Sequence, residues 1–195
     1  MTLIAERPTT IDPIAAAIAD IEGVPETAPA LEPDGHVRNR DFVVICYSGD
    51  LEKTWASLIL ATTAAASGLN TKMFLTFWGL QTFVKDEKRV TGETWMQKML
   101  AVMQRPGISH RKLSKMNFMG MGPWMMGTLA HKYNVASPKE LLEAALAMGV
   151  ELMPCQMTMD MFGLKREDMI EGMGEPVGAA TVIDLLNNGA ASLFI

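Results

Sequence analysis

An α/β fold built on parallel strands is what this sequence predicts, and three stretches predict it. The first is Phe42-Val43-Val44-Ile45-Cys46-Tyr47, a continuous β-branched and aromatic run. Such runs belong to parallel strands buried on both faces. The second comes directly after it: Ser48-Gly49-Asp50 reads as a turn, with Asp50 placed to cap a helix. Residues Glu52 to Ser67 form that helix, Gly68 ends it, and Thr71 to Trp78 reads as a second strand. Strand, turn, helix and strand in this order define a right-handed β-α-β unit. The third stretch begins at Ser137-Pro138-Lys139-Glu140, a capping box with proline at the first helical position. Leu141, Leu142, Ala145, Leu146 and Met148 give that helix its apolar stripe, and Gly149 closes it. Val150 to Cys155 is then a strand that delivers Cys155 at its end.

The remaining segments are assigned by weaker signals. Residues 1–40 are rich in Pro, Ala and Glu and read as a flexible N-terminal extension. Within it Ile11, Ile14, Ile18 and Ile21 recur at helical intervals, and Gly23 would end a short helix. The domain proper covers 41–195. Residues 93–135 form a Met-rich helical insertion. There TWMQKMLAVMQR fits an amphipathic helix stopped by Pro106-Gly107, and MNFMGMGPWMMGTLAHK comes after a basic turn. Past Cys155, a short helix is expected around Arg166 to Ile170 and another from Gly178 to Asn187. Ser192 to Ile195 reads as a final strand, and no internal repeat occurs.

Composition narrows the function. Of 195 residues, 49% are apolar and 20% charged, which fits a globular domain. Net charge is −5 and no Lys/Arg run stands out, so the basic footprint of a nucleic-acid binder is missing. The two cysteines form no CxxC and no zinc-spaced cluster, so no metal is expected. His36, His110 and His131 have no partner at catalytic or metal-binding spacing and read as surface residues. No basic segment leading into an apolar one opens the chain, so a cytoplasmic location with reduced thiols is the default. No apolar stretch approaches the ~20 residues of a transmembrane helix.

Chemistry therefore centres on Cys155. Reactive groups in open α/β sheets collect just outside the carboxyl ends of strands. A thiol there commonly faces the N-terminus of the next helix, whose positive end favours thiolate. MPCQMTMDMFG fits that layout, with Gln156 and Asp160 as candidate pocket-lining residues beside the cysteine. The plain alternative is a buried structural cysteine. Cys46 is a secondary thiol. If strands one and three are neighbours, it lies near the same sheet edge and could resolve or relay a modification on Cys155; otherwise it is a small core residue. Ser48-Gly49-Asp50 could shape an anion pocket from backbone N–H groups, or be only a turn and a cap. No GxGxxG or Walker pattern accompanies it, so no nucleotide is implied. Met116, Met119, Met121, Met125 and Met126, with Phe118 and Trp124, form a soft apolar surface. Such surfaces suit subunit contacts, partner grooves or, as a minor alternative, contact with a membrane surface.

FVVICYSGDLEK, MGPWMMGTLAHK, the segment SPKELLEAALAMGVELMPCQMTMDMFGLKREDMIEG and the terminal SLFI together resemble the DsrE/DsrF/DsrH-like family, in its larger Met-rich branch. That resemblance covers most of residues 41–195. It implies a flavodoxin-like, doubly wound, mostly parallel sheet with helices on both faces, assembled as a homo-oligomer such as a trimer. It also implies cytoplasmic sulfur trafficking, with a persulfide on Cys155 exchanged with TusA-like carriers and supplied by rhodanese-like donors. No cofactor is required for that chemistry. Cys46 matches no cysteine of the family pattern, and Pro154 stands where a small residue is expected. Two rival readings remain: a partner-binding scaffold of a sulfur-oxidation system that transfers nothing, and a thiol redox protein.

Overall fold

Four parallel strands frame the molecule, and their order decides where each cysteine points. The computed structural model describes residues 40–88, 91–188 and 190–195. The expected N-terminal helix, the linker and His36 lie outside these residues. The strands are β1 (Asp41–Cys46), β2 (Asn70–Leu75), β3 (Glu151–Pro154) and β4 (Ala191–Phe194). They form one sheet in the order β3-β2-β1-β4, every pair parallel. Around it lie helices α1 (Leu51–Ala66), α2 (Phe77–Thr82), α3 (Trp95–Met103), α4 (Met121–Lys132), α5 (Pro138–Ala147), α6 (Gln156–Phe162) and α7 (Ala179–Asn187). The flavodoxin-like, doubly wound α/β architecture is thus present.

Strand alternation divides the core in two. Val44, Cys46, Met73, Leu75 and Leu152 face α1 and α5, where Trp55, Leu58, Ala61, Leu141, Leu142 and Ala145 complete the larger cluster. Val43, Phe74, Met153 and Cys155 face the other way and pack with Val182, Leu185 and Leu186 of α7. The capping box forms as expected: Ser137 N–H donates to Glu140 Oε2 at 2.8 Å, and Glu140 N–H to Ser137 Oγ at 3.3 Å.

Several expectations change. Strand β2 stops at Leu75 instead of running to Trp78. Thr76 N–H makes a last bond to Cys46 O at 3.0 Å, and Phe77 then turns away at φ +46° to start α2. Asp50 stands at the N-cap of α1 without capping it; its carboxylate is taken by Ser48 Oγ at 2.9 Å and Lys53 Nζ at 2.9 Å. Only a single 3₁₀ turn, Arg166–Asp168, forms where a short helix was expected. Met169 leaves that turn extended and bridges Val84. The helix that begins directly after the cysteine is α6. Within 93–135 the Met-rich segment is helical, and Thr94 and Gln97 add a capping box to α3.

Candidate functional site

Cys155 stands at the junction of β3 and α6, as the N-cap residue of that helix. Its N–H donates to Leu75 O at 2.9 Å and its carbonyl accepts from Met159 N–H at 3.0 Å, so its backbone is held on both sides. Outside β3 runs a strap, residues 173–177. Gly174 N–H donates to Leu152 O and Val177 N–H to Pro154 O, each at 2.9 Å, while Val177 O accepts from Gln156 N–H at 3.0 Å. Cys155 N–H faces β2, so the Pro154 nitrogen faces the strap, because successive residues of a strand point their amides to opposite sides. Proline therefore removes no bond between β2 and β3, the role it fills on edge strands generally. Packed among Val43, Phe74, Met153, Val177 and Val182, Cys155 is only 3% exposed.

Thr158, one turn into α6, is legible in the sequence only as one of the polar residues that follow Cys155 in MPCQMTMDMFG. Its fully buried hydroxyl accepts from Phe77 N–H and meets Thr76 Oγ1, both at 3.1 Å. It thereby ties the helix that starts at Cys155 to the end of β2, and it holds Phe77 in its left-handed conformation. Bulky residues adopt such a conformation rarely, and usually where surrounding contacts demand it. No pattern within one segment reveals Thr158, since its partners lie about eighty residues away.

The other candidates disperse. Gln156 Nε2 donates to Asp160 Oδ1 at 2.7 Å on the exposed face of α6. Ser48, Gly49 and Asp50 sit at the end of β1, with β2 between them and the cysteine strand. Two cavities, of about 440 and 390 Å³, are lined by none of these five residues, nor by Cys155.

Cys46 does not share an edge with Cys155, because β2 separates their strands. Strands about 4.8 Å apart put the two chains roughly 10 Å from each other, beyond the ~7 Å limit for a disulfide. The side chains also lie in clusters on opposite faces of the sheet. Burial pushes the Cys46 thiol up to about 11, with the Ser57 hydroxyl pulling partly back. An unfolded chain ionises this thiol near its ordinary 9.0. The group is therefore without effect below about pH 9. As pH rises toward 11 the unfolded state gains thiolate that the native state refuses, and stability falls by up to about 2–3 kcal/mol. Urea melts at about pH 8 and about pH 10.5 should show a smaller alkaline loss in Cys46→Ala than in wild type. Equal losses would remove burial of the neutral thiol as the cause.

A doubly wound sheet with a cysteine leaving the carboxyl end of an edge strand defines a class of small α/β thiol proteins. Within that class the chain belongs to the DsrE/DsrF/DrsH-like family, whose profile matches residues 38–194. It is 36% identical over 152 residues to the uncharacterized protein YrkE of Bacillus subtilis, covering 78% of this chain and 94% of that one. It is 30% identical over 162 residues to the sulfur carrier protein DsrE2 of Allochromatium vinosum, covering 82% of this chain and all of the relative. No helix among the described residues is long and apolar enough to cross a membrane.

Proposed function

We propose that this protein carries sulfur as a persulfide on Cys155. The observation that carries the reading is the position of that thiol, at the carboxyl end of β3 and the start of α6, in a chain similar to a named sulfur carrier. Loading begins when the Cys155 thiolate attacks the outer sulfur of a donor persulfide. A new S–S bond forms to Cys155, the donor's own S–S bond breaks, and the donor leaves as a thiolate. Delivery repeats the exchange, with an acceptor thiolate attacking the outer sulfur on Cys155. Neither step changes the total number of electrons, so no redox cofactor is needed.

A rhodanese-like donor and a TusA-like acceptor suit this exchange, which belongs in the reducing cytoplasm where both cysteines stay free. Exposed apolar side chains favour docking of such proteins, or of further copies of this chain. Trp95 is 71% exposed, Trp124 69% and Met119 99%. The burial of Cys155 adds a requirement: the packing around it, chiefly Val177 and the Val182, Leu185 and Leu186 face of α7, must open for the outer sulfur to be reached. Beside it the 173–177 strap is held by backbone bonds to β3 and by Arg166, which donates to Met173 O and Gly174 O, and short edge segments of that kind open locally.

Intact-mass measurement on the full chain tests the reading. Exposure to polysulfide, or to thiosulfate with a rhodanese, should add whole sulfur atoms, and peptide mapping should place them on Cys155. Subsequent incubation with a TusA-like carrier should move that mass to the carrier. No addition under either condition would sink the proposal.

A further inference from the structure

Away from Cys155, the turn that joins the Met-rich helices gathers buried polar atoms left without partners among the described residues. His110 Nε2, Arg111 Nη1 and Asn117 Oδ1 are all buried, and none has a hydrogen-bond partner among the described residues. All three residues line the smaller cavity, with Ser109 and Lys112 beside them and no carboxylate in its wall. In a protein of net charge −5 such a lining is conspicuous. Arg111 is 5% exposed. Its Nε donates to Gly107 O at 3.0 Å and its Nη2 to Arg105 O. Among the described residues it makes no ion pair. The nearby carboxylates are engaged elsewhere: Asp86 accepts from Ser109 N–H and Oγ, and Asp50 from Ser48 and Lys53.

Asp86 and Asp50 favour the charged guanidinium only through space, and the buried Nη1 donor is left without a hydrogen-bond partner among the described residues, a costly arrangement that proteins rarely keep where it serves nothing. Burial lowers the Arg111 guanidinium to about 10, so it is still charged at neutral pH. Glycine is required beside it: a Cβ on Gly49 would stand 2.9 Å from Arg111 Nη1 and 2.7 Å from Trp78 O. Helix ends add little here, because Leu51 N–H already donates to Lys112 O and Glu140 N–H to Ser137 Oγ. The larger cavity adjoins this polar one, sharing Ser109, Arg111 and Pro123. Its wall joins the apolar Leu51, Trp55, Ile108 and Val135 to the polar His131, Lys139 and Glu140, and its volume of about 440 Å³ suits a small organic molecule. It also borders the start of α1 through Leu51 and Trp55.

We propose that the two cavities form one binding site for a small organic oxyanion, such as a carboxylate or sulfonate with an apolar body. The anionic head meets the cations Arg111 and Lys112, and the body lies against Trp55 and Leu51. The site is independent of sulfur transfer, since Trp55 packs on the face of the sheet opposite Cys155.

Benzenesulfonate is a suitable probe, with neutral benzenesulfonamide as its isostere. Trp55 provides the readout, because its indole Nε1 donates to Ala136 O at 2.9 Å and should respond in a ¹H–¹⁵N spectrum of the full chain. Benzenesulfonate should shift that resonance saturably and bind at least about tenfold more tightly than the sulfonamide. Arg111→Gln should weaken it by a similar factor. Should Arg111→Gln fail to fold, two milder variants decide. Lys112→Gln alters an exposed side chain, and Gly127→Leu projects from α4 into open space along the larger cavity; each should weaken binding. Cys155→Ser should bind as wild type does. Equal shifts from the neutral isostere, no shift at all, or binding undiminished in the variants would overturn the site.

Discussion

Cys155→Ser is expected to reduce sulfur uptake to background, while Cys46→Ser loads as wild type does. Serine keeps the shape of the side chain, but its hydroxyl is not ionised near neutral pH and does not displace a thiolate from a persulfide. The substitution places a hydroxyl among Val43, Phe74, Met153 and Val182, where a donor left unpaired costs about 1–3 kcal/mol. Cys155→Ala avoids that cost and should give the same loss of loading in a chain whose melting is close to wild type. Cys46 cannot take over the role. It is completely buried, it lies on the opposite face of the sheet, and its thiol is pushed up to about 11. Intact mass after polysulfide treatment measures uptake, and circular dichroism during a urea titration reports the fold. Persistent loading in both Cys155 variants would move the carrier thiol elsewhere. If Cys155→Ser leaves the cellular role intact although loading is lost, the chain acts as a scaffold.

Gly79→Ala is the substitution expected to damage the fold most. A Cβ at this position would lie 2.3 Å from Cys46 O and 2.8 Å from Cys46 C, both backbone atoms of the central strand. Neither can move aside as a side-chain end would. Gly79 N–H also donates to Tyr47 O at 2.9 Å, so displacing α2 breaks that bond too. A loss of about 3 kcal/mol is expected, despite the better helix propensity of alanine. Phe77, two residues earlier in α2, donates to Thr158 on α6, so the displacement should also loosen the Cys155 junction. Gly127→Ala serves as the control: a Cβ there meets nothing within 4 Å, and the change should be neutral or stabilising by up to about 1 kcal/mol. Urea denaturation of the two variants decides; a Gly79→Ala chain as stable as wild type would mean α2 does not press on β1.

Much of the frame is legible in residue order, because its signals are local. The β-branched run of β1, the Ser137 capping box and the placement of Cys155 at a strand end each depend on neighbours within a few residues. Where an expectation fails, a distant partner has intervened. Strand β2 ends early because Phe77 N–H finds Thr158 Oγ1; Asp50 is the local exception, its carboxylate held by the neighbouring Ser48 and Lys53 instead of the α1 N-terminus. His110 reads as a surface residue in the sequence, yet its Nε2 is buried in the polar cavity. The spacing around Arg111 carries no motif to mark it.

The sequence by itself determined that this is a parallel α/β domain and that Cys155 leaves the carboxyl end of a strand. Periodicity, caps and turns are sufficient for that, since they act over one or two helical turns. Only the tertiary structure decided that β2 separates the two cysteines and turns them to opposite faces. Strand order is set by which apolar faces the helices cover, an energy summed over the whole core. The same packing buries Cys155 against α7 and leaves the Arg111 Nη1 donor without a partner among the described residues.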